Sequence, residues 1–558
     1  MSGLTLSDAI AALGRSAAAI CDAQVTAAGR PDAGAILRAD WGIADPGGTA
    51  GLLAVCAHLL AARALHPGAA PCAPNDDTLL ARSVLAAAWL ERAQRPSGCI
   101  DLLDCNYDSA PDAAFAVQNL AAAVELGRPL ASRSPRWASL LAAIERFLRR
   151  AVGGMVAGGF HTPNHRWVIA AALAQAGALY PDLDVTPTVT AYVAEGFDLD
   201  ADGAFIERSP AVYDGICDRS LMLLAAYTGC KGAIEAARAN LEWNLHLLHA
   251  DGTTETGLSR RQDHGTRAVP YGLVAPLLLC DAAQPTPHLR AAARFLWEQG
   301  AAAGQQDGLW AWYAMQRHGE PGPTSPDDVP ASYRRWFPAN GLWRLRRGPL
   351  SASAFRGRTA LLGLRYGQAE LTAIRASLSY FGVGNLSARA AEERGAGLRA
   401  ELAGEERPHR PGYELPLGRP VAPDAWRETI SERDWIPSPH AAAEMEVREA
   451  PDGIDLALRT PHEPAGVTAQ VALDFAPGGT WETGDICLRP TAGQTIFLKA
   501  GEGTMRWGHD VIAVGPGAHA HRMWRMRDTE AAPESVRVLL TFITPFEHVL
   551  RVRCHREP

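Results

Sequence analysis

The 558-residue chain is 47% hydrophobic and 20% charged, a globular balance that excludes wholesale disorder. Its length exceeds one ordinary core, so two or more domains are expected. A formal net charge of −8 argues against a general nucleic-acid binder, although a local arginine cluster can still receive an anionic small ligand.

The opening MSGLTLSDAIAALGRSAAAICDAQ has no basic region ahead of a continuous apolar block, and predicts an amphipathic helix rather than a signal peptide. The expected location is cytoplasmic by default, or periplasmic if a leader was removed. The Ala-rich window Leu52–Leu65 is broken by His and Arg and falls short of a membrane span, so no membrane partner is expected. Apolar residues then recur at helical spacing in Leu79–Ala93, Ala113–Leu126, Ser139–Val152 and Gly232–His249, and helical character continues to about Ala331. The ten cysteines form no CxxC pair. Cys56, Cys217, Cys230 and Cys280 sit in apolar helical surroundings and read as buried free thiols. No P-loop, nucleophile elbow, HExxH helix or dinucleotide fingerprint occurs.

Turns at Gly158, Asp202, Asp251 and Asp307 follow one another at steps of 44, 49 and 56 residues, one helical hairpin per step. Chance spacing of glycine turns is the competing explanation. If the array closes into a ring, loops of equal phase gather at one mouth. The first loop offers Tyr107, Asp108 and Asp112. The second, HTPNHRW, reads as Thr162 capping a helix with Pro163 at its first position. Asn164 and His165 then occupy the positive end of the helix dipole, a place that favours an anion and a neutral histidine. Satisfying helix-end groups would account for these two residues equally well. The third loop, FIERSPAVYDGICDRSL, carries Glu207, Arg208 and a second Ser-Pro start, with Tyr213 in the first turn of the next helix, 49 residues after Asn164. The fourth, SRRQDH, adds Arg260, Arg261, Gln262, Asp263 and His264.

From about Trp343 the pattern changes to short alternating runs such as GIDLALRT, VTAQVALDFA, HDVIAVG and VRVLLTFITPF, separated by Gly, Pro and Asp turns. This predicts antiparallel sheet, with the Pro-rich Gly319–Gly341 as the junction. The expected division is a helical, catalytic domain over 1–335 and an antiparallel β-sandwich domain over 336–558.

Amide, imidazole, phenol and guanidinium together are what β-elimination from a uronic-acid glycoside requires. Asn164 and an arginine would bind the carboxylate and stabilise the enolate-like anion; His165 and Tyr213 would serve as base and acid. An unperturbed tyrosine has a pKa of about 10, so acting as base would need cations beside it. Arg208, Arg219, Arg260 and Arg261 are candidates.

At TPNHRW, FIERSPAVYDGICDRSL and, more weakly, PTAGQTIFLKAGEGTMRWG, the sequence resembles the heparinase II/III-like polysaccharide lyases. The resemblance spans most of the chain. It implies an incomplete (α/α) toroid followed by a β-sandwich, and a uronate-containing oligo- or polysaccharide as partner. It carries the family's Asn or His onto Asn164 and His165, and its Tyr onto Tyr213. Arg261 and His264 are assigned as catalytic from phase alone; Tyr107, Asp108, Arg166, Glu207, Arg208, Arg260, Gln262 and Asp263 are assigned to substrate binding. Some members use a histidine from the β domain, which matches none of His409, His440 and His462 securely. No cofactor is required. A structural metal in the β domain lacks a motif, since His519 and His521 read as one partly exposed strand face. The absence of an evident leader favours an oligosaccharide taken from its end, and a homodimer stays open. Two rivals stand. One is a toroid glycoside hydrolase using a pair from Asp108, Asp112, Asp202, Glu207 and Asp263. The other is a non-catalytic carbohydrate-binding protein stacking sugars on Trp310, Trp312, Trp336 and Trp343.

Overall fold

A computed structural model describes residues 3–325, 329–380, 383–404, 412–438 and 440–558. Two compact units emerge. One comprises the chain to Leu248 with Gly252–Pro330; the other comprises Ala331–Pro558 with the short stretch His249–Asp251.

The first unit holds α1 (Leu6–Asp22), α2 (Pro46–Leu65), α3 (Asp76–Ala93), α4 (Ala110–Gly127), α5 (Pro135–Ala157), α6 (Pro163–Leu179), α7 (Thr186–Ala194), α8 (Tyr213–Thr228), α9 (Lys231–Leu245), α10 (Val274–Ala283), α11 (Pro287–Ala302) and α12 (Gly308–His318). Helices α2, α4, α6, α8, α10 and α12 pack each on the next, and α1 joins α12 back to α2. Helices α3, α5, α7, α9 and α11 each pack outside the inner helix that precedes them. Sequence explains which helices are inner. Helix α6 buries Trp167 through Leu173 without a break, as a helix enclosed on every side must. Helix α5 instead buries Leu140, Leu141, Ile144, Phe147, Leu148, Ala151 and Val152, a single stripe. Each large side chain fully buried in this way contributes about 1.5–3 kcal/mol. Helix starts are set by proline at the first or second position in α2, α4, α5, α6, α7 and α11.

Helix α2 departs from expectation. By length and composition it is long and apolar enough to cross a membrane. Yet 67% of its apolar window is buried, and it packs on α1, α3 and α4, the behaviour of an enclosed core helix. The repeating Asp-Gly turns have a physical reason too. At Gly203 φ is +91°, and a Cβ there would stand 2.7 Å from the Ala239 carbonyl on α9, so the loop can lie against that helix only with glycine.

The second unit is β-structure in two sheets, antiparallel except where Thr495–Phe497 runs parallel to Val536–Ile543. Its long strand Val383–Arg394 pairs with Ala369–Tyr380 in one layer and Gly397–Gly404 in the other. Central strand Thr468–Phe475 lies between Ala369–Tyr380 and Val536–Ile543, and is buried on both faces. Strands at the other layer, such as Gly453–Arg459, alternate buried and half-buried residues, as a single packed face requires. The sheet begins at Ser332–Phe337, earlier than the alternation near Trp343 implied, because SYRRWF carries polar side chains on an exposed strand. His519 and His521 do not share a strand face. His519 makes one isolated bridge to Thr541, and His521 is tied into a loop, with its Nε2 on the Ala469 carbonyl at 2.9 Å and its Nδ1 accepting from Met523 N.

Candidate active site

Helix α6 begins as the Thr-Pro signal implies, with Thr162 at the cap position and Pro163 first in the helix. The cap itself is different. Thr162 makes no side-chain bond to a helix N–H; Glu207, from the loop before α8, does so instead. Its Oε2 accepts from the Asn164 backbone N–H at 2.8 Å, and its Oε1 accepts from Asn164 Nδ2 at 2.7 Å. Asn164 Nδ2 also donates to Thr162 Oγ1 at 3.1 Å. The positive helix end therefore does hold an anion, and the anion belongs to the chain. Asn164 is fully buried behind it, so it is not presented to a ligand as the sequence implied.

Tyr213 is the first residue of α8. Val212, not Ser209, occupies the cap position; Ser209 Oγ accepts from Tyr213 N at 3.3 Å. Asp263, buried in the fourth loop, fastens the two loops together. Its carboxylate accepts from Ser209 Oγ at 3.0 Å, Ala211 N at 3.1 Å and Ser259 Oγ at 2.5 Å. Arg260 N adds a bond to the Arg208 carbonyl at 3.0 Å, made with Arg208 held at φ +55°. This frame sets Arg261 over the Tyr213 ring, 4.9 Å from guanidinium carbon to centroid. Arg261 Nε lies 3.4 Å from Glu207 Oε1 without a hydrogen-bond partner, and among the described residues its terminal nitrogens make no hydrogen bond. Gln262 Nε2 donates to the Tyr213 hydroxyl at 2.9 Å. A continuous line of contacts thus runs from Asn164 through Glu207 and Arg261 to Tyr213 and Gln262.

Electrostatics distinguish two of these groups. His165 is lowered to about 4 by burial first, then by the charges of His161 and Arg261, so its imidazole is neutral at pH 7. Glu207 is raised by burial, against the opposing pull of Asn164's two hydrogen bonds and of Arg261. The ring of His161 stands edge-on to His165 with centroids 4.6 Å apart, and Phe115 flanks it at 6.2 Å. Sequence reading overlooked His161, although it stands four residues before His165; it precedes the helix, so no periodicity marked it.

Other predicted residues lie elsewhere. Arg166 is 200° around the helix from Asn164. It is buried in ion pairs with Glu195 at 2.7 Å and Asp198 at 2.8 Å, which removes it from substrate binding. Tyr107 lies exposed beneath Arg95, and Asp108 accepts from the Ser97 hydroxyl while its backbone N–H donates to Asp101 Oδ1 at 2.7 Å. Arg208 is paired with Asp200 at 2.6 Å, and Arg219 with neither histidine nor tyrosine of this site, leaving Arg261 as the cation on Tyr213. His264 is exposed and makes no hydrogen bond or ring contact with His165 or Tyr213. Asp263 acts as a fastener rather than a ligand contact. Trp310, Trp312 and Trp343 are buried and cannot stack on sugars. His440 and His462 are exposed, and His409 lies outside the described residues. Among the described residues, no three His, Cys, Asp or Glu side chains converge as metal ligands.

A ring of helical hairpins followed by an antiparallel β domain is a polysaccharide lyase-like fold. No protein-family model and no curated protein matches the sequence. Among solved structures the chain is similar to heparinase III, with TM-score 0.53 and 10% identity over 91% of this chain and 76% of that one. It is similar to a Paenibacillus xanthan lyase at TM-score 0.54 and 11% identity, covering 98% of this chain but 57% of the other. A heparan sulfate lyase HepC mutant from Pedobacter heparinus matches at TM-score 0.49 and 12% identity, over 92% and 78%. Glycoside hydrolases also match, at TM-scores of 0.35 and below. At these identities the likeness is one of fold.

Proposed function

We propose that this protein is a lyase that cleaves a uronic-acid-containing oligo- or polysaccharide by β-elimination. The observation that carries the reading is Arg261, stacked on Tyr213 with its terminal N–H groups open, in the same contact line as the start of α6. Arg261 would bind the uronate carboxylate. Neutral His165 takes the C5 proton, and the electron pair left behind is delocalised onto that carboxylate, where the guanidinium stabilises it. The pair then forms the C4–C5 double bond as the C4–O4 bond breaks, and the Tyr213 hydroxyl protonates the leaving O4. Asn164 holds Glu207, and Glu207 holds Arg261. Of the five carboxylates considered for a hydrolase, Glu207 is bonded to Asn164, Asp263 to Ser209, Ala211 and Ser259, and Asp112 to Asn106 and Ser109.

The test is ultraviolet absorbance of the new double bond across a panel of uronate oligosaccharides, with mass spectrometry of the products. Unsaturated products are expected. Sugar release without that absorbance would replace the lyase by a hydrolase, and binding without turnover by a carbohydrate-binding protein.

A pH profile follows from His165. The base form is the unprotonated one, and its pKa of about 4 keeps it available throughout the weakly acidic range. The acid limb of kcat/KM should therefore inflect near pH 4 rather than near the ordinary histidine value of about 6.5. An inflection at the ordinary value would remove His165 as base.

A further inference from the structure

Helix α8 carries a second arginine whose environment the elimination does not use. Arg219 lies six residues after Tyr213, roughly 9 Å along the axis and on a different face. Its side chain is 11% exposed and borders a cavity of about 280 Å³ that opens to solvent, bounded by α1, α2, α4, α8 and the start of α12. Among the described residues, none of its five N–H donors makes a hydrogen bond. Its Nε is buried without a partner, its closest anion is Asp307 at 3.9 Å, and its guanidinium carbon stands 4.7 Å over Trp310. Arg166, comparably buried, also has an Nε without a partner, but its terminal nitrogens meet Glu195, Asp198 and the Gly196 carbonyl. Leaving buried donors of a cation unpaired is costly, so the difference needs a partner that the chain does not supply.

The rest of the lining says what that partner is. Asp307 uses Oδ1 to cap α12 through Trp310 N at 3.1 Å, and among the described residues its Oδ2 accepts no hydrogen bond, with Arg219 3.9 Å away. Asn119 also lines the cavity; its Oδ1 accepts from Trp310 Nε1 at 2.9 Å, and among the described residues its amide N–H groups make no hydrogen bond. Ser16 lines the cavity as an exposed residue. One cation and one anion make the site neutral overall. A second carboxylate would meet Asp307, whereas a hydroxyl that both donates and accepts satisfies each member of the pair. The volume lies at the low end of the roughly 300–1,000 Å³ typical of small-ligand sites, room for one ring rather than a chain.

We infer that this cavity binds one neutral sugar unit, with adjacent hydroxyls of its ring bridging Asp307 and Arg219. That the polyol is a sugar rests on the proposed function; the donor and acceptor arrangement does not. A glycan bound here would be selected for an uncharged unit as well as for the uronate handled by Arg261.

The experiment is saturation-transfer NMR with methyl glycosides of neutral hexoses, N-acetylhexosamines and hexuronic acids, on the full chain. Wild type and Tyr213→Phe should both bind a neutral glycoside. Asp307→Asn, which keeps the helix cap, and Arg219→Gln should each weaken it about tenfold or more. Thermal unfolding checks the fold of both, and Asp307→Asn decides alone if Arg219→Gln is unfolded. The inference is overturned if no neutral glycoside binds, if only uronates bind, or if folded Asp307→Asn binds like wild type. Failure of the lyase reading would show separately, as absent unsaturated product with this binding intact.

Discussion

Replacing Tyr213 by Phe is expected to lower kcat on a uronate glycan by about 10²–10⁴-fold, the contribution of a positioned acid or base. The change removes one oxygen and keeps the ring on which Arg261 rests. It also costs the bond from Gln262 Nε2, which is exposed and therefore worth little to stability. KM for the glycan and the unfolding midpoint should stay close to wild type. Kinetics by absorbance of the unsaturated product, with a separate binding titration, distinguish the outcomes. Retention of most of the wild-type rate would take Tyr213 out of the mechanism.

The second large effect is expected at Arg261. Arg261→Met keeps an apolar stem over the Tyr213 ring but removes the charge proposed to hold the developing carboxylate anion. Loss of one such stabilising group costs about 10²–10³-fold, here in kcat/KM. A second readout separates chemistry from a mere loosening of the loop. The positive charge of Arg261 is one of the causes that lower His165, so its removal must move that group upward. The acid limb of the pH profile should shift toward higher pH in Arg261→Met and stay in place in an Arg261→Lys control. A fall in rate with an unmoved acid limb would mean that Arg261 supports the loop without acting on His165.

Much of the helical unit was readable from periodicity. The apolar runs Leu79–Ala93, Ala113–Leu126 and Ser139–Val152 fall within α3, α4 and α5, because apolar residues at helical spacing mark both the buried stripe of an outer helix and the wider burial of inner α4. Thr162-Pro163 marks the start of α6 for a similar local reason: proline fixes the backbone angle of a first helical turn. Legibility failed where partners are distant in the chain. Nothing within HTPNHRW indicates that its anion is Glu207, 43 residues later, or that this contact buries Asn164. Likewise SRRQDH reads as a solvated loop, yet Asp263 leaves solvent to fasten Ser209 and Ala211.

The sequence by itself therefore determined the order of the two units, the Thr162-Pro163 start of α6 and the placement of His165 and Tyr213 in first helical turns. Those features depend on near neighbours: periodicity, proline and turn glycine act over a few residues. Tertiary structure alone decided which charges meet. It gave Arg261 to Tyr213, Arg166 to Glu195 and Asp198, and Glu207 to the dipole of α6. It also left Arg219 facing a cavity with its donors unspent. The reason is range. A buried charge must find its counter-charge wherever the packed helices bring one, and that choice is made between loops tens of residues apart.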